Sequence, residues 1–207
     1  MTRISKLLVP VAMAFGLFVV ATPAHASLII AAGNNPQVDE NVLLNTGLTG
    51  DPVFGTTNQT GFSVMFDSNE LMAAPSNGQA RVEGVDGALT QLSISLPGGT
   101  FTSLILNVDV ASDGFLNFTA TPNVGSPLIA LFAVGSSGSN FFTVTADNGQ
   151  RLTDVSFTSN VDVTDVAQVR IGGAAADAAT IPEPASLLLL GMGFVGAGVR
   201  RRLQRSA

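Results

Sequence analysis

Short runs of alternating apolar and polar residues fill the chain from residue 27 to residue 173 and constrain its fold more than any other feature. An alternation of period two places every second side chain on one face, which is typical of a half-buried β-strand. No stretch of ten or more residues here has the 3.6-residue apolar period of an amphipathic helix. The alternating runs are residues 92–96, 104–110 with the even-numbered positions inward, 142–146, 155–158 and 167–171.

Turn-forming residues separate these runs. Gly adopts the positive φ that tight turns require, and Asn-Gly favours a two-residue hairpin. We therefore predict an all-β, antiparallel body at residues 27–173, folded as a β-sandwich or a jelly roll. One run, residues 127–134, is continuously apolar and predicts a strand buried on both faces or covered by a loop. The turn segments are residues 97–99, 112–114, 135–140 and 147–150.

The residue types that the body lacks exclude most side-chain chemistry. The chain has no Cys, Trp or Tyr, and its single His (His25) and single Lys (Lys6) both precede Ser27. Cys and Lys nucleophiles, His-based triads and zinc bound by His or Cys all need these residues. Paired carboxylates, as in glycoside hydrolysis, remain available. The candidate pairs are Asp67 with Glu70 and Glu83 with Asp86, and solvated acidic loops are the alternative interpretation.

The body is also strongly acidic. Residues 27–184 hold three arginines, Arg81, Arg151 and Arg170, against all 15 acidic residues of the chain, a formal charge of −12. Such a charge repels nucleic acids and anionic lipid surfaces, so we expect neither as a partner. The absence of Cys is compatible with an exported protein that depends on no disulfide bond.

The segment from Met1 to Ala26 has the three parts of a cleavable secretory signal peptide. Two basic residues stand near its start, and an apolar run follows at residues 7–21. Ala24 and Ala26 then place small residues at the two positions that signal peptidase inspects, which predicts cleavage before Ser27. A permanent N-terminal anchor is the alternative, but the run is short for a membrane-spanning helix of about 20 residues.

The C-terminal part also has three features in order. A small-residue linker, residues 174–180, leads to Pro182, Glu183 and Pro184, whose prolines interrupt regular backbone structure. The uncharged run at residues 185–199 predicts a short transmembrane helix, although at about 1.5 Å per residue it spans only about 22 Å of a hydrocarbon core of about 30 Å. Four arginines then predict a stop-transfer signal held in the cytoplasm, namely Arg200, Arg201, Arg202 and Arg205.

Residues 181–207 resemble the PEP-CTERM sorting signal, a tail of exported proteins in Gram-negative, often biofilm-forming, bacteria. The resemblance implies recognition by an exosortase-type membrane peptidase, processing near Pro-Glu-Pro, a transient stay in the inner membrane, and delivery to the cell surface and its exopolysaccharide. The same tail is also labelled an ice-binding protein C-terminal domain. A simple tail anchor is the alternative, and it accounts for the helix and the arginines but leaves Pro-Glu-Pro without a role.

Ligand candidates in the body rest on short patterns. Aspartates at predicted strand ends offer hard oxygen ligands to calcium, and solvated turn aspartates are the alternative interpretation. Sugar rings are usually bound by Trp or Tyr, which are absent, and ice binding needs a longer array of Thr than this chain has. The calcium pairs are Asp109 with Asp113 and Asp162 with Asp165, and the phenylalanines expected in the core include Phe118, Phe142 and Phe157.

The sequence as a whole favours an exported, non-catalytic surface protein that needs no cofactor and is sorted by its tail. Its expected partners are signal peptidase, an exosortase-type peptidase and the inner membrane during transit, with exopolysaccharide as a further candidate. The rival hypothesis is a secreted binding module for calcium or exopolysaccharide, and a glycosidase-like enzyme comes third.

Overall fold

The structure is a computed structural model that describes residues 27–44, 47–75 and 78–177. All of its regular elements are β-strands, which confirms the predicted all-β class. No helix in this described part is long and apolar enough to cross a membrane. The strands are β1 (Ser27–Ala32), β2 (Glu40–Leu44), β3 (Leu48–Gly50), β4 (Val53–Thr57), β5 (Ser63–Asp67), β6 (Met72–Ala74), β7 (Gly78–Gln79), β8 (Arg81–Gly84), β9 (Leu89–Ser95), β10 (Gly99–Thr100), β11 (Ser103–Val110), β12 (Gly114–Pro122), β13 (Leu128–Val134), β14 (Asn140–Asp147), β15 (Leu152–Gly172) and β16 (Ala175–Ala176).

The predicted period of two is visible in the burial of most strands. In β9, Leu92 and Ile94 are fully buried and their neighbours are not. β11 departs from this pattern because Ile105 and Asn107, on its second face, are buried as well. The segment of residues 36–39 lies beside Ser103 at the start of β11, where both line one depression.

β15 is the longest strand and joins the two halves of the body. Its first half pairs with β12 and β9, and its second half pairs with β11 and β8. Its register with β9 shifts between Thr158 and Val163, where β15 passes from one set of neighbours to the other. The sequence predicts two strands here, at residues 155–158 and 167–171. The residues between them contain neither Gly nor Pro and stay extended, so one strand results.

The strand pairing follows a main path in the order β1-β14-β11-β15-β9-β5-β4-β2-β7. β2 also pairs with β15, through Asn41 with Arg170, so the pairing β15–β9–β5–β4–β2 returns to the strand where it began. β12 and β13 branch from the first half of β15, whereas β8, β6 and β3 branch from its second half. The pairings are antiparallel, as predicted.

Four phenylalanine rings contact one another, three of them buried in the core and Phe132 partly buried beside it. The ring centroid of Phe118 lies 4.7 Å from that of Phe142, 5.6 Å from that of Phe157 and 6.0 Å from that of Phe132. In the described body β12 pairs with β13 and β15, and β14 pairs with β1 and β11. The contact between Phe118 and Phe142 therefore joins two strands that are not neighbours in the sheet. The predicted core positions of Phe118, Phe142 and Phe157 are confirmed, because all three are buried.

The prediction for the apolar run at residues 127–134 is wrong about burial: the strand that forms there, β13, is covered on one face only. A strand forms there, but its outer face is open: Ile129 is 63% exposed and Leu131 is 64% exposed. The reason is its place in the sheet, since among the described residues β13 pairs with β12 alone and no loop covers it. A continuous apolar run does not distinguish a strand covered on both faces from an exposed strand at the sheet edge.

Candidate functional site

The predicted processing segments flank the described body directly. β1 begins at Ser27, the residue that follows the predicted cleavage site, and the described chain ends at Asp177. The predicted signal, sorting and stop-transfer residues lie outside the described residues: Ala24, Ala26, Pro182, Glu183, Pro184, Arg200, Arg201, Arg202 and Arg205.

The backbone is fastened where it leaves the body toward the tail. Ala175 and Ala176, which the sequence places in the linker, form β16 and pair with β10. Asp177 N–H donates to the carbonyl of Gly98 at 3.0 Å. Asp177, which this hydrogen bond ties to Gly98, lies five residues before Pro182 in the sequence.

Arg151 is the side chain that holds this exit in place. Its Nε donates to Thr100 Oγ1 at 2.6 Å, and its Nη2 donates to the carbonyl of Thr100 at 2.9 Å. Nη2 also donates to the carbonyl of Gly173, just before β16. Sequence reasoning missed this arrangement because the partners come from distant segments. The available signal was that Arg151 is one of three arginines in an acidic body.

The structure shows the surroundings of the predicted calcium ligands. Asp109 lies opposite Asp165 across β11 and β15. Asp113 Oδ1 instead accepts hydrogen bonds from Ser136 N–H at 2.8 Å and Ser136 Oγ at 2.9 Å, which lower the pKa of Asp113. Asp162 lies three positions before Asp165 on the same strand, and the register of β15 with β11 shifts between Val163 and Asp165, so strand alternation does not place the two side chains on opposite faces. Within the described ranges, no three acidic side chains are grouped to hold a metal ion.

Arg81 lies close to two acidic side chains of this region, Asp165 and Glu83. Arg81 Nη2 lies 3.0 Å from Asp165 Oδ2 and 3.8 Å from a carboxylate oxygen of Glu83. Burial raises the pKa of Asp165, Arg81 opposes the rise, and the charges of Asp109 and Glu83 add to it. Asp165 Oδ1 and Asn107 Oδ1 are buried with no hydrogen-bond partner among the described residues. The arrangement is thus an incompletely satisfied ion-pair cluster with no ring of oxygen ligands.

The carboxylates considered for acid–base chemistry take part in local contacts. Glu70 accepts hydrogen bonds from Thr90 N–H at 3.1 Å and Thr90 Oγ1 at 2.5 Å, and Asp86 accepts one from Ala88 N–H at 3.2 Å. Glu83 lies within 3.8 Å of Arg81. Glu70 and Asp86, taken from different predicted pairs, line one cavity of about 350 Å³ together with the exposed side chains of Leu71 and Val85.

Glu40 is a buried carboxylate that the sequence did not indicate. Its side-chain oxygens accept hydrogen bonds from Thr60 N–H at 2.7 Å, Thr60 Oγ1 at 2.9 Å and Gln59 N–H at 3.1 Å. Burial alone would raise the pKa of Glu40, but these hydrogen bonds outweigh burial and lower it. The partners lie far from Glu40 in sequence, so no local pattern reveals the contact.

An uncharged polar depression of about 160 Å³ lies over the middle of β9, β12 and β15. The register of these strands creates it, because Asn117 pairs with Thr158 and Thr119 pairs with Ser156. Such side chains both donate and accept hydrogen bonds, as sugar hydroxyl groups require. The sequence does not reveal this depression, since its three strands are not consecutive. Its polar lining residues are Gln91, Asn117, Thr119, Ser156 and Thr158.

Comparison with known proteins classifies the chain by its tail. The family model described as the PEP-CTERM protein-sorting motif matches residues 180–202. The chain therefore carries a PEP-CTERM sorting motif, which confirms the resemblance seen in the sequence. This motif supports export, membrane-associated sorting and an exosortase-type processing partner. No curated protein and no solved structure matches the chain significantly.

Proposed function

We propose that the chain is an exported, non-catalytic protein of a Gram-negative bacterium that is delivered to the cell surface or extracellular matrix. Signal peptidase cuts before Ser27, the tail halts the chain in the inner membrane, and an exosortase-type peptidase then cuts near Pro182, Glu183 and Pro184. The observation that carries this proposal is the sorting motif at residues 180–202.

The position of β1 supports cleavage before Ser27. All six residues of β1 pair with β14, and Ser27 itself lies opposite Asp147. A cut before Ser27 retains every described pair of β1 with β14, whereas a cut a few residues later would remove Leu28 and Ile30, which pack on the core. The freed α-ammonium group would also be attracted to the carboxylate of Asp147 on the neighbouring strand.

The C-terminal exit supports processing on a folded body. Pro182 lies five residues beyond Asp177, and five extended residues span at most about 17 Å. A body fastened by Arg151 up to β16 would therefore stay close to the membrane while the tail is cut. The two prolines keep the cut segment out of helix, as a peptidase that binds extended substrate requires.

We infer further that the body is a β-sandwich. The contact of Phe118 with Phe142 between unpaired strands, and the passage of β15 from one group of strands to the other, support two layers that pack face to face. The non-catalytic role rests on the absence of His, Cys and Lys after Ala26 and on the local hydrogen bonds of the acidic side chains.

Exopolysaccharide is the second candidate ligand because of the polar depression over β9, β12 and β15. Its lining carries no charge, so none of its side chains repels an acidic polymer. Replacement of Asn117 and Thr158 with Ala should then weaken retention on the host polysaccharide. Unchanged retention would remove this candidate and leave the sorting proposal intact.

The direct test of the main proposal is the intact mass of the exported protein purified from its native host. We expect a mass that lacks both the segment from Met1 to Ala26 and the tail beyond the Pro-Glu-Pro motif, with Ser27 as the first residue on N-terminal sequencing. A mature protein that still begins at Met1 would overturn the signal-peptide step, and one that still ends at Ala207 would overturn the sorting step.

A further inference from the structure

One edge of the body presents a strand that is open on its edge and on its outer face. Among the described residues, β13 pairs with β12 alone. Ile129 and Leu131 are 63% and 64% exposed, and Phe115 on the outer face of β12 is 48% exposed. In an antiparallel sheet, every second residue of such an edge strand directs its backbone N–H and C=O groups away from the sheet.

The inner side of the same edge is incompletely covered. Leu28 and Ile30 of β1 and Phe132 of β13 pack against the core but are only partly buried. β1 contacts both β12 and β13, so these three side chains belong to one region of the body. Additional protein along β13 would complete their burial.

The protections that usually keep sheet edges apart are missing here. Natural edge strands are commonly short or carry charged residues that prevent pairing with another chain. β3 and β7 have three and two residues, but β13 has seven. No charged residue occurs between Gly114 and Ala146, although the region from 27 to 184 has a formal charge of −12. β12 and β13 themselves therefore carry no charge, and Asp113 is the one charged side chain in the lining of the depression beside Ala133, so a second acidic copy meets little local repulsion along β13.

We propose that a second copy of this chain pairs with β13 in antiparallel orientation, about a twofold axis at Leu131. In this register Leu131 of one copy lies opposite Leu131 of the other, and Ile129 lies opposite Ala133 of the second copy. On the inner face Phe132 lies opposite Ala130 of the second copy. Around the central Leu131 pair, one large side chain meets one small side chain on each face, and such directly opposed neighbours pack against each other.

A depression in the surface lies where this register requires space. It has a volume of about 430 Å³ and opens beside Ala133, so the larger Ile129 side chain of the second copy would project toward it. The register was deduced from strand symmetry alone, so the position of this depression is separate support for it. The lining residues are Asp113, Gly114, Phe115, Ala133, Val134 and Gly135.

Single cysteines test the register directly, because the natural chain has none. The full chain with Leu131→Cys, expressed in the native host and mildly oxidised on intact cells, should form a covalent dimer. Directly opposed residues lie about 4.5–5.5 Å apart, within disulfide range. Ile129→Cys should not crosslink to itself, because its two copies would be separated by four residues, or about 13 Å, along the strand.

Val85→Cys is the matched control, since Val85 is 56% exposed in a turn far from β13 in sequence. Crosslinking at Leu131 that exceeds crosslinking at Ile129 and Val85 supports the proposal. Equal crosslinking at all three sites, or none at Leu131, overturns it.

Mass in solution gives a second readout. The exported protein purified from the native host should have twice its chain mass by light scattering, and Leu131→Lys should halve that value while Val85→Lys does not. The dimer should strengthen with salt, because screening at a Debye length of about 10 Å in 0.1 M salt weakens repulsion between the acidic bodies. A wild-type protein that remains monomeric at high salt would overturn the proposal. This holds even if β13 is then found to bind a different protein.

Discussion

Asp109 and Asp165 lie directly opposite each other across β11 and β15, with Arg81 3.0 Å from Asp165. Burial raises the pKa of Asp165 in spite of Arg81, and the negative charge of Asp109 contributes to the rise. A carboxyl group whose pKa is raised by folding binds its proton more tightly in the folded state. Its contribution to the free energy of unfolding is therefore largest at low pH and is lost as the pH rises from about 3.9 through the raised pKa.

The first prediction is that Asp165→Asn raises the melting temperature of the exported protein at about pH 7. The neutral amide has nearly the same shape and avoids the cost of a buried charge, and Arg81 can turn to solvent because its side chain is 44% exposed. The difference from wild type should vanish at about pH 3, where Asp165 is protonated. Calorimetric melting across this pH range measures it.

Asp113→Asn is the matched control, with the opposite sign. The hydrogen bonds from Ser136 lower the pKa of Asp113, so its contribution to stability is present above the ordinary pKa and is lost as the pH falls through the lowered one. This variant should melt at a lower temperature than wild type at neutral pH. A decrease in melting temperature for both variants would contradict the assignment of Asp165.

Local pattern predicted most strands but could not predict their neighbours. The runs around Leu92 and Leu104 have turns on both sides, and period two is a local property, so both became strands. The pairing of Asp109 with Asp165 depends on the register of strands that are far apart in sequence, which no local pattern contains. For the same reason the sequence predicted burial of Ile129 but could not show that β13 lies at an edge.

The second prediction concerns the aromatic core. Phe118→Ala should lower the free energy of unfolding by about 3–5 kcal/mol, because Phe118 is fully buried and contacts three other rings. Val85→Ala is the control, and the change there should be below about 0.5 kcal/mol because Val85 is 56% exposed in a turn. Denaturant titration followed by far-ultraviolet circular dichroism measures both. Similar losses for the two variants would contradict the inward orientation of Phe118.

The third prediction concerns the exit toward the tail. Arg151→Ala removes three hydrogen bonds and should cost about 1–3 kcal/mol of local stability around β10 and β16. Hydrogen exchange at Ala176 and Asp177 should accelerate while exchange in the middle of β15 stays slow. Val85→Ala is the control, because Val85 is 56% exposed in the turn after β8 and belongs to neither β10 nor β16. Unchanged exchange at Asp177 in the Arg151 variant would contradict the proposed fastening.

The last prediction separates a sorting signal from a plain anchor. An anchor requires the apolar run and the arginines alone, so it should be indifferent to replacement of Pro182, Glu183 and Pro184 with Ala. A peptidase must bind an extended segment, and without the prolines a helix can continue outward from the membrane through this site. We therefore expect the triple variant to accumulate at full length in the inner membrane, as measured by fractionation and intact mass.

Replacement of Arg200, Arg201, Arg202 and Arg205 with Gln is the contrasting variant. Without the positive cluster the apolar run has no stop on the cytoplasmic side, so this variant should pass through the membrane at full length instead of remaining in it. Wild type should appear outside the inner membrane without the mass of its tail. Normal shortening of the triple Pro-Glu-Pro variant would mean that the motif is not read by a peptidase, and the tail would then be an anchor.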